Sequence, residues 1–524
     1  MSGDAIVDLS LNPNVAHMLA TAAARGPEQC AVVERERRVS YADLCAEAAA
    51  LAAGLRATGV QPGDRVALFL ERGAGAAAAF FGVAAAGGIA VILNETLRTR
   101  QIEHVVAHCG ARLVVCSREL LNGLPRRPET PAQLLDVAEL SAPGALEVVP
   151  RVGTDVAQII YTSGSTGLPK GVTVTHANLW AGARSVSSYL EITAADRLAS
   201  LLPFSFDYGF NQLLCAVLNR ATLVVERSPL PQQIAVTLRE GGVSVLPCVP
   251  PLWLQLLGAP EFRAAPIPSI RVMTNTGGRL PVEAVRRLRA VQPQAKLVLM
   301  YGLTEAFRAT YLDPTEVDDH PDSIGRAIPG AEILVLRRDG TECGPGEEGE
   351  LVQRGPTVAA GYWNDPESTA RVFRSNPCRP DGAPEAERVV FSGDMVRRDD
   401  GGRLYFIGRH DRIIKTLGFR VSPDEVCDVL YASGQVAEAL VGGEADGQRG
   451  ERIVAYVVLR DGGDMGKLQR FCKTELPRYM QPARIQAMGA LPRTTSGKFD
   501  LKAAEALAGG TPGETSAAAH GAPA

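Results

Sequence analysis

The sequence predicts an α/β (α+β) fold in two domains, and three observations carry the prediction. Short apolar runs alternate with helix-forming stretches through residues 66–116 and again through 198–300, the rhythm of layered α/β structure with mostly parallel strands. From residue 324 to 407 the texture changes to short strands and tight turns. A link at 408–420 then leads into a small helix-and-strand unit. A chain of 524 residues is also too long for one core. The expected division is a large N-terminal domain over 1–408, of layered α/β subdomains plus a β subdomain, and a small C-terminal α/β domain over 409–505. An Ala/Gly/Pro/Thr-rich tail over 506–524 is expected to be disordered.

The elements follow in order. Residues 14–30 read as a helix, and 31–33 with 38–40 as a small hairpin. Ser40 and Asp43 cap a helix over 41–55, rich in Ala and Leu. Pro62-Gly63-Asp64 ends that segment before strand 66–70. Helix 74–86, strand 89–93, helix 98–108 and strand 112–116 complete the first alternation, and 122–150 is Pro-rich and irregular. Strand 156–160 runs into a glycine-rich loop. Helix 176–190 follows, where a helix-start role for His176 is preferred to catalysis. The second alternation is strand 198–202, strand 222–226, helix 231–240, strand 243–247, helix 251–258, strand 270–274, helix 281–291 and strand 296–300. Strands 331–336, 349–353, 389–392 and 402–407 make the β part. Helix 422–432, strands 436–442 and 452–459, and helix 464–475 make the last unit.

Composition excludes several classes of function. Hydrophobic content of 46% and charged content of 21% are those of an ordinary globular protein. A net charge of -4 offers no basic field for nucleic acid. Met1 to Pro13 has no basic stretch leading an apolar core, so no secretory signal is expected and the expected location is cytoplasmic. Apolar runs such as Ala76–Ala86 are too short to span a bilayer. The ten cysteines form no C-x-x-C pair and the seven histidines are dispersed, which favours buried reduced thiols over a metal site.

One stretch carries the chemistry. Tyr161 to Val172 reads YTSGSTGLPKGV, directly after the strand. Its glycines permit close backbone approach, and successive N–H groups in such a turn form an anion-binding concavity. Hydroxyls add donors, and Lys170 adds a compact positive charge. A polyphosphate needs this set. The stretch is not a Walker A loop, since no Gly-Lys-Ser/Thr stands at the required spacing. A flexible Gly/Ser linker would explain neither the strand nor the lysine. The string resembles, residue for residue, the YTSGSTGxPKGV phosphate loop of the AMP-forming adenylating enzymes. These are the acyl-CoA synthetases, peptide-synthetase adenylation domains and luciferases. The resemblance implies that Thr162, Ser163, Gly164, Ser165, Thr166, Gly167 and Lys170 hold the phosphates of ATP, with Thr166 also catalytic.

Further matches follow in family order. Tyr301-Gly302-Leu303-Thr304-Glu305 resembles the Y-G-x-T-E motif. By that resemblance Tyr301 stacks on adenine, Thr304 meets the α-phosphate and Glu305 holds Mg2+. Gly277-Gly278 resembles the turn lining adenine. Ser392-Gly393-Asp394 matches S/T-G-D, whose aspartate accepts both ribose hydroxyls. Residues 408–420 match G-R-x-D-x-x-I-K-x-x-G-x-R. Arg409 would then contact ribose and phosphate, Asp411 would be the hinge of a mobile C-terminal domain, Lys415 would be catalytic and Gly418 would face a pantetheine arm. A surface ion pair is the bland alternative for Arg409 and Asp411. Residues 492–500 match P-R-x-x-x-G-K, making Lys498 the adenylation lysine. The resemblance covers roughly 15–505. It implies ATP and Mg2+ as cofactors: a carboxylate attacks the α-phosphate, pyrophosphate leaves, and a thiol then displaces AMP.

Substrate identity rests on fewer residues. The resemblance places Phe206, Asp207, Phe210, Asn275, Thr276, Gly277, Gly302, Leu303, Phe307 and Arg308 in the acyl pocket. Phe206-Asp207 resembles the F-D of amino-acid-activating domains, whose aspartate binds the substrate ammonium. A carboxylate inside an apolar wall is costly unless paired; the alternative is that Asp207 caps the next helix. Arg308 could hold a second substrate carboxylate, or it could point outward or pair with Asp207 or Glu305. The strings around both residues resemble stand-alone enzymes that load β-amino acids onto carrier proteins, and ligases of exopolysaccharide systems. The expected reaction is activation of an amino acid, a β-amino acid such as the aspartate-like 3-methylaspartate, and its transfer to a separate carrier protein. The alternatives are CoA as acceptor, an acyl-CoA ligase of a non-amino acid, and a non-catalytic nucleotide binder. Lys170, Glu305, Asp394, Arg409 and Lys498 together argue against the last.

Overall fold

The computed structural model describes residues 13–140, 142, 144–162, 169–380, 382, 387–409, 412, 414–416, 419–446 and 450–509. The chain divides into two compact units, Met1–Ile407 and Gly408–Ala524. Among the described residues the strands form sheets of fourteen, seven and five members.

In the larger unit, the seven-stranded sheet is parallel where Arg65–Phe69 lies between Ile89–Ile92 and Leu113–Cys116. The helix Tyr41–Ala57 starts with a capping box in which Ser40 and Asp43 satisfy each other's backbone N–H. It packs on helix Ala74–Ala85, where only Gly75 escapes burial. A helix apolar all round belongs in a core. Its small residues allow close approach: a Cβ on Gly82 would stand 2.9 Å from the Ala48 carbonyl oxygen.

The fourteen-stranded sheet runs parallel through Arg197–Ser200, Val245–Cys248, Val272–Asn275 and Lys296–Tyr301. It turns antiparallel at Thr310–Tyr311 and continues through Glu332–Leu336, Glu348–Arg354 and Arg388–Arg398. The change of texture after the second alternation is therefore the change from parallel to antiparallel pairing. In the smaller unit, the antiparallel pair Val436–Asp446 and Gly450–Leu459 carries helices Pro423–Ala432 and Met465–Glu475.

Four local expectations change. The first helix is Ala16–Arg25, stopped by Gly26 and Pro27 ahead of strand Cys30–Glu34. Within the stretch expected to be irregular, Gln133–Asp136 pairs in parallel with Leu113–Cys116. This edge strand, Gln-Leu-Leu-Asp, is only partly buried and lacks the continuous apolar run that marks its neighbours. Lys170–Thr175 is a strand, not the end of a loop. Helix Leu501–Gly509 runs through the expected tail boundary at 506, as its Ala/Leu composition favours. The rest of the expected tail, 510–524, lies outside the described residues.

Candidate active site

The phosphate-loop stretch is mounted on a two-stranded ribbon. Val156–Thr162 pairs antiparallel with Lys170–Thr175, and the register sets Thr162 opposite Lys170. Ser163, Gly164, Ser165, Thr166 and Gly167 lie outside the described residues. The ribbon's first strand is apolar inward, with Ala157, Ile159 and Ile160 buried. Tyr161 is anchored by a 2.7 Å hydrogen bond between its hydroxyl and His108 Nδ1. Lys170 Nζ donates to Ser368 Oγ at 2.6 Å and lies 3.6 Å from Asp365 Oδ2. Asp365 caps helix Pro366–Val372 by accepting from the Ser368 N–H, and Pro366 fills the first turn. Hydrogen bonds from Ser368, and after them the neighbouring Lys170 ammonium, hold the Asp365 carboxyl below its usual range.

Glu305 lies on the short 3-10 turn Thr304–Ala306, which follows strand Lys296–Tyr301. Its Oε1 accepts from the Tyr362 hydroxyl at 2.6 Å. No lysine or arginine pairs with it among the described residues. No cluster of three metal-ligating side chains occurs among them either. A lone hard carboxylate of this kind suits Mg2+, which takes one or two protein oxygens and completes its shell with water and phosphate. The glutamate therefore fits the ion.

Tyr301 and Asp394 meet directly, the tyrosine hydroxyl donating to Asp394 Oδ2 at 2.5 Å. Gly393, at φ +72°, makes the turn that delivers Asp394. The Ser392 hydroxyl accepts the Asp394 N–H and donates to the Leu351 carbonyl. The expected adenine and ribose residues thus share one hydrogen bond. Gly277, at φ +82°, follows strand Val272–Asn275, and Asn275 Nδ2 donates across the turn to the Gly278 carbonyl.

The residues expected in the acyl pocket differ in burial and partners. Arg308 is 2% exposed. Its Nη1 donates to Thr276 Oγ1 at 3.2 Å, its guanidinium stands 5.0 Å from the Tyr208 ring centroid, and its Nε has no hydrogen-bond partner. It forms no ion pair with Asp207, Glu305 or any other carboxylate among the described residues, and it does not face outward. A backbone device turns it inward. Phe307 holds φ 60°, ψ -62°, and the Arg308 N–H donates to the Ala306 carbonyl at 2.6 Å. This is a γ-turn of the strained hand. Gly302 gives the arginine room, since a Cβ there would lie 3.3 Å from Nη1. Asn275 Oδ1 and Asn211 Nδ2 are also buried without hydrogen-bond partners among the described residues.

Asp207 is buried at the first residue of helix Asp207–Asn219, and its Oδ1 accepts the Tyr208 N–H at 2.9 Å. Part of the carboxylate thus serves the helix start. Phe206 is half-buried with its ring edge-on to Tyr208, and Leu303 is half-buried beside the main core. Phe210 and Phe307 are more deeply buried in the same core. Phe210 is wholly buried, edge-on to Phe80 at 4.6 Å, as a core residue. The Phe307 ring lies over helix His176–Tyr189, where a Cβ on Gly182 would come within 2.3 Å of it. His176 begins that helix, wholly buried, its Nδ1 accepting the Val15 N–H at 3.1 Å. Burial first, then nearby Arg151, pushes its pKa down to about 4.

In the smaller unit, Arg409 ends strand Leu404–Arg409, exposed, and Lys415 lies on strand Ile414–Thr416. Asp411 and Gly418 lie outside the described residues. Lys498 closes a turn in which its carbonyl accepts the Thr494 N–H at 2.7 Å, with Gly497 at φ +81°. Sequence reading passed over Tyr362, Asp365 and Ser368. Asp365-Pro366 followed by Ser368 is a helix-start signature. Nothing local to it, however, reveals a partner at Glu305.

Comparison with known proteins decides the family. Residues 19–363 match the AMP-binding enzyme family, and residues 425–498 match the AMP-binding enzyme C-terminal domain. The chain belongs to the AMP-binding enzyme family. Among this family's members it is 33% identical to novobiocin biosynthesis protein H of Streptomyces niveus, over 90% of this chain and 79% of that one. It is 29% identical to L-proline–[L-prolyl-carrier protein] ligase of Pseudomonas fluorescens, over 91% and 96%. It is also 32% identical to a linear gramicidin synthase of Brevibacillus parabrevis, over 91% of this chain but only 6% of that much longer one. The solved o-succinylbenzoate CoA synthetase of Bacillus subtilis, in complex with its acyl-adenylate, superposes with TM-score 0.80 at 28% identity, covering 92% of this chain and 96% of that one. The same enzyme is known with ATP and a magnesium ion. The protein is thus an AMP-forming ligase that activates an acid through an AMP intermediate, using ATP with Mg2+.

Proposed function

We propose that this AMP-binding enzyme activates an amino acid bearing a second carboxylate, a β-amino acid of the aspartate type, and passes it to the thiol of a separate carrier protein. The carrying observation is the buried Arg308 guanidinium. A buried charge without a countercharge is unfavourable, and a substrate carboxylate gripped bidentately would supply the missing anion. The carboxylate of Asp207, at the start of the helix that carries Tyr208, would take the substrate ammonium. The carrier-protein acceptor is supported by the relative named as an L-prolyl-carrier protein ligase.

In this reading Lys170 and the loop hold the phosphates, Glu305 holds Mg2+, Tyr301 and Asp394 fix the nucleoside, Arg409 contacts ribose and phosphate, Lys498 serves adenylation, and Lys415 is catalytic. Mg2+ would neutralise charge on the transferring phosphates. The protein positions the attacking carboxylate in line with the α-phosphate, and no covalent enzyme intermediate is required. One observation favours a second reading, an acyl-CoA ligase of a non-amino acid: Asp207 already accepts the Tyr208 N–H.

ATP–pyrophosphate exchange by the wild type and Asp207→Ala, over α-amino, β-amino, β-amino diacid and plain acids, separates the two. The expected result is strongest exchange with 3-methylaspartate or a close analogue, lost in Asp207→Ala while ATP still binds. Exchange confined to acids without an amino group would leave Asp207 as a helix-start residue.

A further inference from the structure

The polar contacts around the phosphate ribbon converge on a residue outside every motif considered so far. Tyr362 lies on the two-residue strand Gly361–Tyr362, which pairs with the ribbon through Gly361↔Thr173 and Tyr362↔Val172. Its N–H donates to Thr369 Oγ1 at 2.9 Å, and Gly361, at φ +137°, packs against the same threonine. The ring meets Phe373 edge-on at 5.6 Å. The backbone and ring are thereby fixed from three sides. From that seat the hydroxyl reaches Glu305 Oε1 at 2.6 Å, and the ring centroid stands 5.5 Å from Lys170 Nζ.

We propose that Tyr362 is a positioning residue for the nucleotide site, tying the metal-binding carboxylate to the phosphate-loop lysine. The proposal rests on the assignment of Glu305 to Mg2+ and Lys170 to the phosphates. A hydroxyl donated to one carboxylate oxygen fixes the side-chain torsion and leaves the other oxygen for the ion, as groups behind a metal ligand do. The ring face attracts the ammonium of Lys170. Asp365 and Ser368 hold that ammonium at the ribbon. Metal and phosphate ligands that lie 135 residues apart in sequence, at 170 and 305, are thereby set to a common distance before ATP arrives. The hydroxyl and the ring do separate work, so they are separable by substitution.

The test is calorimetric titration of ATP into the full chain with and without Mg2+, with no acid present, so that no turnover occurs. Tyr362→Phe is expected to lose about tenfold of the tightening that Mg2+ brings, the size of a hydrogen bond to a charged group. Its affinity for ATP without Mg2+ should be unchanged, whereas Tyr362→Ala should weaken that as well. Glu305→Gln serves as the reference, and Tyr362→Phe combined with it should show no further loss. If Glu305→Gln keeps the Mg2+ effect, the assignment of Glu305 fails, and the proposal fails with it. If Glu305→Gln loses the effect and Tyr362→Phe keeps it, only the role of Tyr362 is refuted.

Discussion

At the scale of single residues, the proposed specificity rests on an arginine that is 2% exposed. Arg308 is turned inward by the strained turn at Phe307, and non-glycine residues occupy such conformations where the surroundings impose them. The buried charge should do little for the ligand-free fold, because burying an unpaired ion opposes stability. Arg308→Met is therefore expected to leave the thermal midpoint unchanged or raised. It should cut kcat/KM for an amino diacid by about 100-fold, within the range for removing one partner of a buried charge pair. Amino acids with apolar side chains should be spared. A lowered midpoint with equal loss on all substrates would make Arg308 a structural group holding Thr276 and Tyr208.

At the scale of elements, the alternating strands and helices were legible because buried strands read as short apolar runs, set off by turn residues from longer helix-forming stretches. Short pieces were not, and they matter most at the site. The strand Lys170–Thr175 follows a glycine-rich run that reads as loop. The strand Gly361–Tyr362 has two residues and exists only through its partner. The motifs revealed Tyr301, Glu305 and Asp394, but not the hydrogen bonds between Tyr301 and Asp394 or between Tyr362 and Glu305. Phe210, an aromatic beside a motif read as pocket wall, is wholly buried and edge-on to Phe80, a packing that the motif does not reveal. Helix His176–Tyr189 carries the next prediction. Its first residue accepts the Val15 N–H through a neutral imidazole, with the pKa lowered from the usual 6.5 to about 4. Between those values the unfolded chain binds the proton and the folded chain does not, so stability rises with pH. The contribution is complete above pH 6.5 and is lost as pH falls toward 4, about 3 kcal/mol in all at ~1.36 per unit. Urea unfolding followed by tryptophan fluorescence reads this in the larger unit, which holds Trp180, Trp253 and Trp363. His176→Gln should flatten the drop between pH 7 and pH 4.5; parallel curves for the two proteins would refute it.

At the scale of the whole molecule, the two units have separate cores and separate motifs. Lys170, Tyr301, Glu305 and Asp394, the residues proposed to hold the nucleotide and its metal, belong to the larger, and Lys498 belongs to the smaller. In the smaller unit, Arg493 Nη2 donates to Glu438 Oε1 at 2.5 Å, with its guanidinium over the Phe499 ring, and Arg493 and Phe499 form a β-bridge. That scaffold sets the turn carrying Lys498. The reading assigned to Lys498 is charge stabilisation at the α-phosphate during the first step alone, and a group used in one step leaves the other step intact when it is removed. Lys498→Ala should therefore lower ATP–pyrophosphate exchange by about 100- to 1,000-fold, the effect of losing one preorganised charge-stabilising group. Thioester formation from a supplied acyl-adenylate should continue near the wild-type rate, and both units should melt as before. Equal loss of both half-reactions would mean that Lys498 organises the smaller unit, and near-normal exchange would remove it from the chemistry.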